Sequence, residues 1–171
     1  MNATLREPVF DRDAIVALIN EAYSGPAWHG PSVKEALAGV TSHAATKKLA
    51  PDRNSIWELV LHLAHGRHLI IERIVNAATT PFPRPIREPW WPIASSDTSD
   101  ASWQRDLALL DECHARFIDA IQRATAEQLA RIPQGGDPIH KQLAGMALHD
   151  TYHAGQIRLL ALEFATSPHS P

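Results

Sequence analysis

Four stretches of this sequence repeat their apolar residues every three or four positions, and no run of alternating apolar and polar residues is long enough to argue for a sheet. The first runs from about Asp11 to Tyr23, where Ala14, Ile15, Leu18, Ile19 and Ala22 follow acidic starters that suit a helix N-terminus. The second opens at Ser55 with Glu58 three residues on, a capping box, and reaches about Ala77 without an internal proline. The third spans about Ala101 to Ala124, with Trp103, Leu107, Leu110, Phe117 and Ile121 on one stripe. The fourth begins near Ile139 and ends near Ala165, before the polar tail SPHSP. Four long amphipathic helices without strands have few ways to bury every stripe, and the simplest is an all-α four-helix bundle.

Prolines mark the connections. Ser24, Gly25 and Pro26 end the first helix; Pro31 and Ser32 start a short one through about Val40, and a further turn covers Ser42 to Leu49 before the break at Pro51 to Asn54. Between the second and third long helices, TTPFPRPIREPWWPIASSDTSD holds five prolines and cannot be a helix interior. Its Trp90 and Trp91 are expected to cover an end of the bundle. A second connection, Thr125 to Pro138, closes on QGGDP. With 171 residues and no internal repeat, residues 1–171 are expected to form a single domain.

Charge and cysteine usage narrow the function classes. A formal net charge of -3 gives no reason to expect a nucleic-acid partner. The single cysteine, Cys113, excludes an internal disulfide and suits a reducing cytoplasm; at the edge of a core stripe, it reads as inert packing. The opening MNATLREPVF has no apolar core of a secretory signal, and no segment approaches the roughly 18 apolar residues of a membrane helix, so a cytoplasmic protein without membrane partners is expected.

Ten histidines are the unusual feature. HDTYH in the fourth helix sets His149 and His153 four residues apart, one above the other on a single face. His153 falls within the stripe of Leu143, Met146, Ile157, Leu160 and Phe164, and His149 lies at its margin, so both rings face inward. A catalytic divalent ion usually takes three protein ligands, so a third must come from another helix. LVLHLAHGRH in the second helix offers His62, His65 and His68. His65 falls nearly opposite the stripe of that helix and reads as solvent-facing; His62 lies at the stripe's edge beside Leu59 and Gly66, and is the choice, with His65 second. Spacing alone leaves a metal site and an internally hydrogen-bonded histidine cluster both open. Asp150 lies where it could orient a ligand imidazole or serve as an ordinary interhelical or surface carboxylate. His114, on the third helix's stripe, either approaches the site or, as the favoured reading, is a hydrogen-bonded core histidine, and Tyr152 and Gln156 flank the pair, where they meet either a substrate or a neighbouring helix.

Three motifs, AWHGPSVKEAL, NSIWELVLHLAH and ALHDTYHAGQIRLL, resemble in order and separation the DinB/YfiT-like superfamily, and more narrowly its DinB-like branch, from about Leu5 to Phe164. The resemblance implies a four-helix bundle with a metal held by one histidine of the second long helix and two of the fourth, here His62, His149 and His153. It also implies either a metal-dependent hydrolase or a transferase of low-molecular-weight thiols, and a possible homodimer. Neutral imidazole suits zinc, nickel, copper or iron, and zinc or nickel is the expectation. An open coordination position would activate a thiol or a water against a small-molecule substrate. Trp28 and His29 would then line the pocket mouth, unless Trp28 merely caps the bundle. The alternative from another class is a metal-binding or stress-related protein without turnover, in which the ion stitches two helices. A polymerase role has no acidic two-metal pattern to support it.

Overall fold

The computed structural model describes residues 11–134 and 136–165. The opening decapeptide read for a signal, the Leu5 start of the family likeness, Gly135 and the tail 166–171 lie outside the described residues. In chain order the elements are α1 (Arg12–Ser24), α2 (Val33–Leu37), α3 (Ser42–Thr46), α4 (Ile56–Val75), β1 (Ile86–Glu88), β2 (Trp91–Pro92), α5 (Asp100–Arg123), α6 (Ala126–Ala130) and α7 (Ile139–Ala165). The four long helices are those the periodicity predicts. Each start has a chemical cause: the Asp11 side chain accepts from the Ala14 amide, and Ser32 with Glu35 and Ser55 with Glu58 form reciprocal capping boxes on α2 and α4. Helix α4 stops at Asn76, which takes the left-handed conformation that a helix end favours.

The long helices close a ring in the order α1, α7, α4, α5, with α2 and α3 packed against α7. The Pro-rich connection is not wholly irregular. Its strands β1 and β2 pair antiparallel, Ile86 with Pro92 and Glu88 with Trp91. The connection is pinned to α5 where Arg84 pairs with Asp106, whose other oxygen accepts from the Trp57 indole at 2.7 Å. This strap lies along α4 instead of capping an end of the bundle, so the expectation for Trp90 and Trp91 is corrected. The Trp91 ring lies against His62, and Trp90 is 41% exposed with the Arg73 guanidinium over its ring.

The bundle core is divided in two. One apolar cluster gathers Trp57, Leu61, Trp103, Leu110 and Ile157; the other gathers Ile70, Ile74, Phe117, Ile121 and Leu143. Between them lie polar side chains: Arg67 from α4, His114 from α5 and Asp150 from α7, all buried. Arg67 donates to Asp150 at 2.5 Å, to the Leu63 carbonyl at 3.0 Å and, through Nε, to His114 Nδ1 at 3.4 Å. His114 Nε2 donates to the Asn20 amide oxygen at 2.9 Å, and its ring stacks on Tyr23 with centroids 3.7 Å apart. His114 is thus the hydrogen-bonded core histidine the sequence suggests. Asp150 is interhelical, neither at the surface nor bonded to a ligand ring. Cys113 is buried, and burial pushes its thiol up to about 11, so it stays protonated and inert.

His114 makes the fold acid-sensitive. Burial, with the Arg67 charge beside it, depresses its pKa to about 3. An unfolded histidine titrates near 6.5. Above that pH the group contributes no difference; below it the unfolded chain takes up a proton that the folded chain refuses, so stability falls by about 1.4 kcal/mol per pH unit until about pH 3. Urea unfolding of the chelator-treated protein at steps from pH 7 to pH 4 should show a decline to which the buried cluster histidines also contribute, and His114→Gln should make it shallower by about the amount given. Equal slopes in the two proteins would refute the assignment.

Candidate metal centre

His62 projects from the middle of α4, and His149 and His153 from one face of α7, where contact between these helices sets the rings together. His149 Nε2 lies 3.0 Å from His62 Nε2 and 3.0 Å from His153 Nε2. The three ligand atoms all fall within 4.8 Å of one another. Two nitrogens, each about 2.0–2.1 Å from a shared ion, stand about 2.9–3.4 Å apart for right-angle to tetrahedral geometry, so the cluster has the dimensions of a coordination sphere.

The outer nitrogens fix the tautomers. His62 Nδ1 lies 2.8 Å from the Trp90 carbonyl oxygen, which can only accept, so Nδ1 carries the proton. His153 Nδ1 lies 2.7 Å from Gln156 Oε1, again an acceptor. Both inward Nε2 atoms therefore present bare lone pairs to His149, whose single Nε2 could offer one N–H to only one of them. Its own Nδ1 is buried without a hydrogen-bond partner. Hydrogen bonding among the rings cannot satisfy this arrangement, whereas a shared cation accepts all three lone pairs. Desolvation, with the neighbouring rings, pushes His149 down to about 3; it pushes His153 to about 4 and lowers His62 too. All three stay neutral at pH 7, the form a metal requires.

A cavity of about 450 Å³ opens beside the rings and reaches His62 and His153. Trp91, Leu59 and Leu160 form its apolar wall, Tyr152, Gln156 and Leu159 one side, and Leu49, Asp52, Arg53 and Asn54 its rim. The Trp91 ring stacks on His62 with centroids 4.2 Å apart and 15° between planes. Gln156 uses its amide NH2 to donate to the Tyr152 hydroxyl at 3.0 Å while holding His153.

A family model described as the DinB superfamily matches residues 28–157, a span that contains all three histidines and most of the chain. The chain belongs to the DinB superfamily. No curated protein and no solved structure gives a match.

Within this DinB superfamily member the structure also departs from several sequence expectations. His65 is buried, not solvent-facing, because Phe82 of the strap covers it at 4.9 Å between ring centroids. It takes no part in the cluster. Trp28 is 91% exposed, and neither it nor His29 lines the cavity; Trp28 does not cap the bundle either. The sequence gives Trp91 and the Trp90 carbonyl a different place and the rim residues Arg53 and Asn54 no role, since their positions depend on the course of the connections. Among the described helices, none is long and apolar enough to cross a membrane.

Proposed function

We propose that the protein is a metal-dependent S-transferase, in which His62, His149 and His153 hold a divalent transition-metal ion, with zinc or nickel the first candidates among the ions that imidazole suits. A low-molecular-weight thiol then attacks an electrophilic small molecule in the adjoining cavity. The reading is carried by one observation: three Nε2 lone pairs converge beside a cavity that reaches two of the rings, which matches an open three-ligand site and not a closed structural one. When bound, the ion supplies the Lewis acidity that keeps a nucleophile deprotonated at neutral pH.

The chain's own residues supply the rest. The Trp90 carbonyl and Gln156 hold two rings with their lone pairs inward, and burial keeps all three rings unprotonated. Trp91 and the leucines exclude water from one side of the cavity and offer an apolar surface to the electrophile. Hydrolysis fits less well. The carboxylate among the described cavity residues is Asp52, an exposed rim group beside Arg53, so no general base stands close to the rings. A thiol, once its proton has passed to solvent, needs no further base: sulfur bonds to the electrophilic carbon, and a leaving group such as chloride departs with the bond pair.

Purified protein loaded with zinc or nickel should conjugate at least one of a panel of low-molecular-weight thiols to a chlorinated nitrobenzene, and a chelator should abolish the reaction. Failure with every thiol removes the transferase reading. Metal-dependent cleavage of ester or amide substrates in place of conjugation would establish the hydrolase.

A further inference from the structure

The orientation of the Gln156 amide decides what the Tyr152 hydroxyl can do. His153 Nε2 turns its lone pair to the other rings, so Nδ1 carries the proton, and the Gln156 atom 2.7 Å from it must be the amide oxygen. The amide NH2 is thereby committed to Tyr152, where it donates to the hydroxyl oxygen at 3.0 Å. The tyrosine oxygen accepts this bond, so its own O–H is left for another partner. Among the described residues it finds no acceptor.

This donor stands where a substrate would lie. Tyr152 lines the cavity, directly precedes His153 in α7, and meets that imidazole edge-on with ring centroids 5.0 Å apart. Although 63% exposed, it is held at both ends, its ring by His153 and its oxygen by Gln156. The other donors of the cavity, Arg53 and Asn54, belong to the rim ahead of α4 and not to a residue beside a cluster ring.

We infer that Tyr152 is a catalytic hydrogen-bond donor, and that the electrophile is one whose reacting carbon releases its electrons to oxygen, an epoxide or an α,β-unsaturated carbonyl. This substrate class rests on the transferase reading above. With an epoxide, the thiolate sulfur bonds to a ring carbon, the bond from that carbon to oxygen breaks, and the electron pair stays on oxygen as an alkoxide. The Tyr152 O–H bonds to that oxygen as its charge grows. Solvent then supplies the proton, replacing the one the thiol gave up. A fixed donor of this kind binds the developing oxyanion more strongly than the neutral ether oxygen, and a difference of that sort raises the rate. The substituent on the epoxide has Trp91, Leu59 and Leu160 to lie against. An alkyl chloride makes no oxyanion, so it gains far less from the hydroxyl.

Styrene oxide and benzyl chloride, each with its electrophilic carbon beside one phenyl ring, test this on the metal-loaded full chain with cysteine, glutathione and coenzyme A as thiols. The wild type is expected to conjugate both. Tyr152→Phe keeps the ring and deletes the donor, and its metal content by plasma emission should equal that of the wild type. Its kcat with styrene oxide should fall about 100-fold, the usual loss for one oxyanion donor, while KM stays within about threefold. The loss with benzyl chloride should be at least about tenfold smaller. Equal losses with the two electrophiles, an undiminished rate with styrene oxide, or a variant that sheds its metal would each overturn the role of Tyr152. A wild type that conjugates the chlorinated nitrobenzene but not styrene oxide overturns the substrate class and leaves the transferase standing; one that conjugates no electrophile overturns both.

Discussion

Replacing His149 by alanine is expected to strip the protein of its metal and abolish turnover while leaving the helices in place. His149 is the central ring, with its Nε2 at 3.0 Å from each of the other two, so its loss leaves two nitrogens on different helices with nothing between them. Loss of a supporting partner alone costs roughly 10–100-fold in metal affinity, and loss of a ligand should exceed that. The fold should survive, because His149 is only partly buried and contributes to neither apolar cluster. Free metal at about 100 times its dissociation constant should stabilise the wild type by about 2.7 kcal/mol. His149→Ala should show no such gain, and a chelator should bring the two proteins to a similar melting temperature. His65→Ala is the informative control. It sits one turn from His62 along α4 and is buried like it, yet it lies outside the cluster, so it should keep a full complement of metal. Metal retention and conjugation by His149→Ala would count decisively against the site. Unfolding of the wild type on chelation would favour the reading in which the ion only stitches the helices.

Much of this arrangement was legible because it is local. The capping box at Ser55 and Glu58 and the stripe that follows it place α4 within two residues, and the four-residue step of His149 and His153 stacks two rings whatever the tertiary fold. His62 could be ranked above His65 because a ring at the stripe's edge can reach a neighbouring helix. His65 was misjudged for an instructive reason. A helical wheel assigns the far side of a helix to solvent, but α4 is buried nearly all round because the strap brings Phe82 over that side. The strap's path is set by Arg84 reaching Asp106 on α5 and by a short ladder between β1 and β2, none of which has a periodicity to read. Trp91 was misplaced by the same limit, since a tryptophan among prolines carries no sign of which ring it will stack on. Arg67 left a faint signal, a permanent charge amid apolar residues on a well-formed helix, but its partners on α5 and α7 are non-local.

Cutting the ion pair between Arg67 and Asp150 should cost the fold more than any surface change. Both side chains are fully buried, they meet at 2.5 Å, and they join the two helices that supply the histidine cluster. Burial pushes the Asp150 carboxyl up while the guanidinium beside it pulls the other way, so the charge persists only as long as the partner does. Asp150→Ala leaves a guanidinium in the core with no counter-charge, a loss of about 3–5 kcal/mol. For a chain of this size that lowers the melting temperature by roughly 10 °C. The double replacement Arg67→Met with Asp150→Leu should behave differently. It removes both charges together, and one Asp150 oxygen is already buried without a hydrogen bond, so the native pair is incompletely satisfied. Stability should return to within about 1–2 kcal/mol of the wild type, the remainder being His114 Nδ1 deprived of its Arg67 donor. Metal affinity need not return with it. Arg67 lies five residues from His62 and Asp150 directly follows His149, so a packed Met and Leu would hold α4 and α7 together without fixing their register at the cluster. Thermal melts beside metal titrations separate the two roles: melting temperature should recover while affinity stays tenfold or more below wild type. A double variant that recovers both would mean that the pair serves the fold alone, and an Asp150→Ala melt within a degree of wild type would mean that the pair contributes nothing.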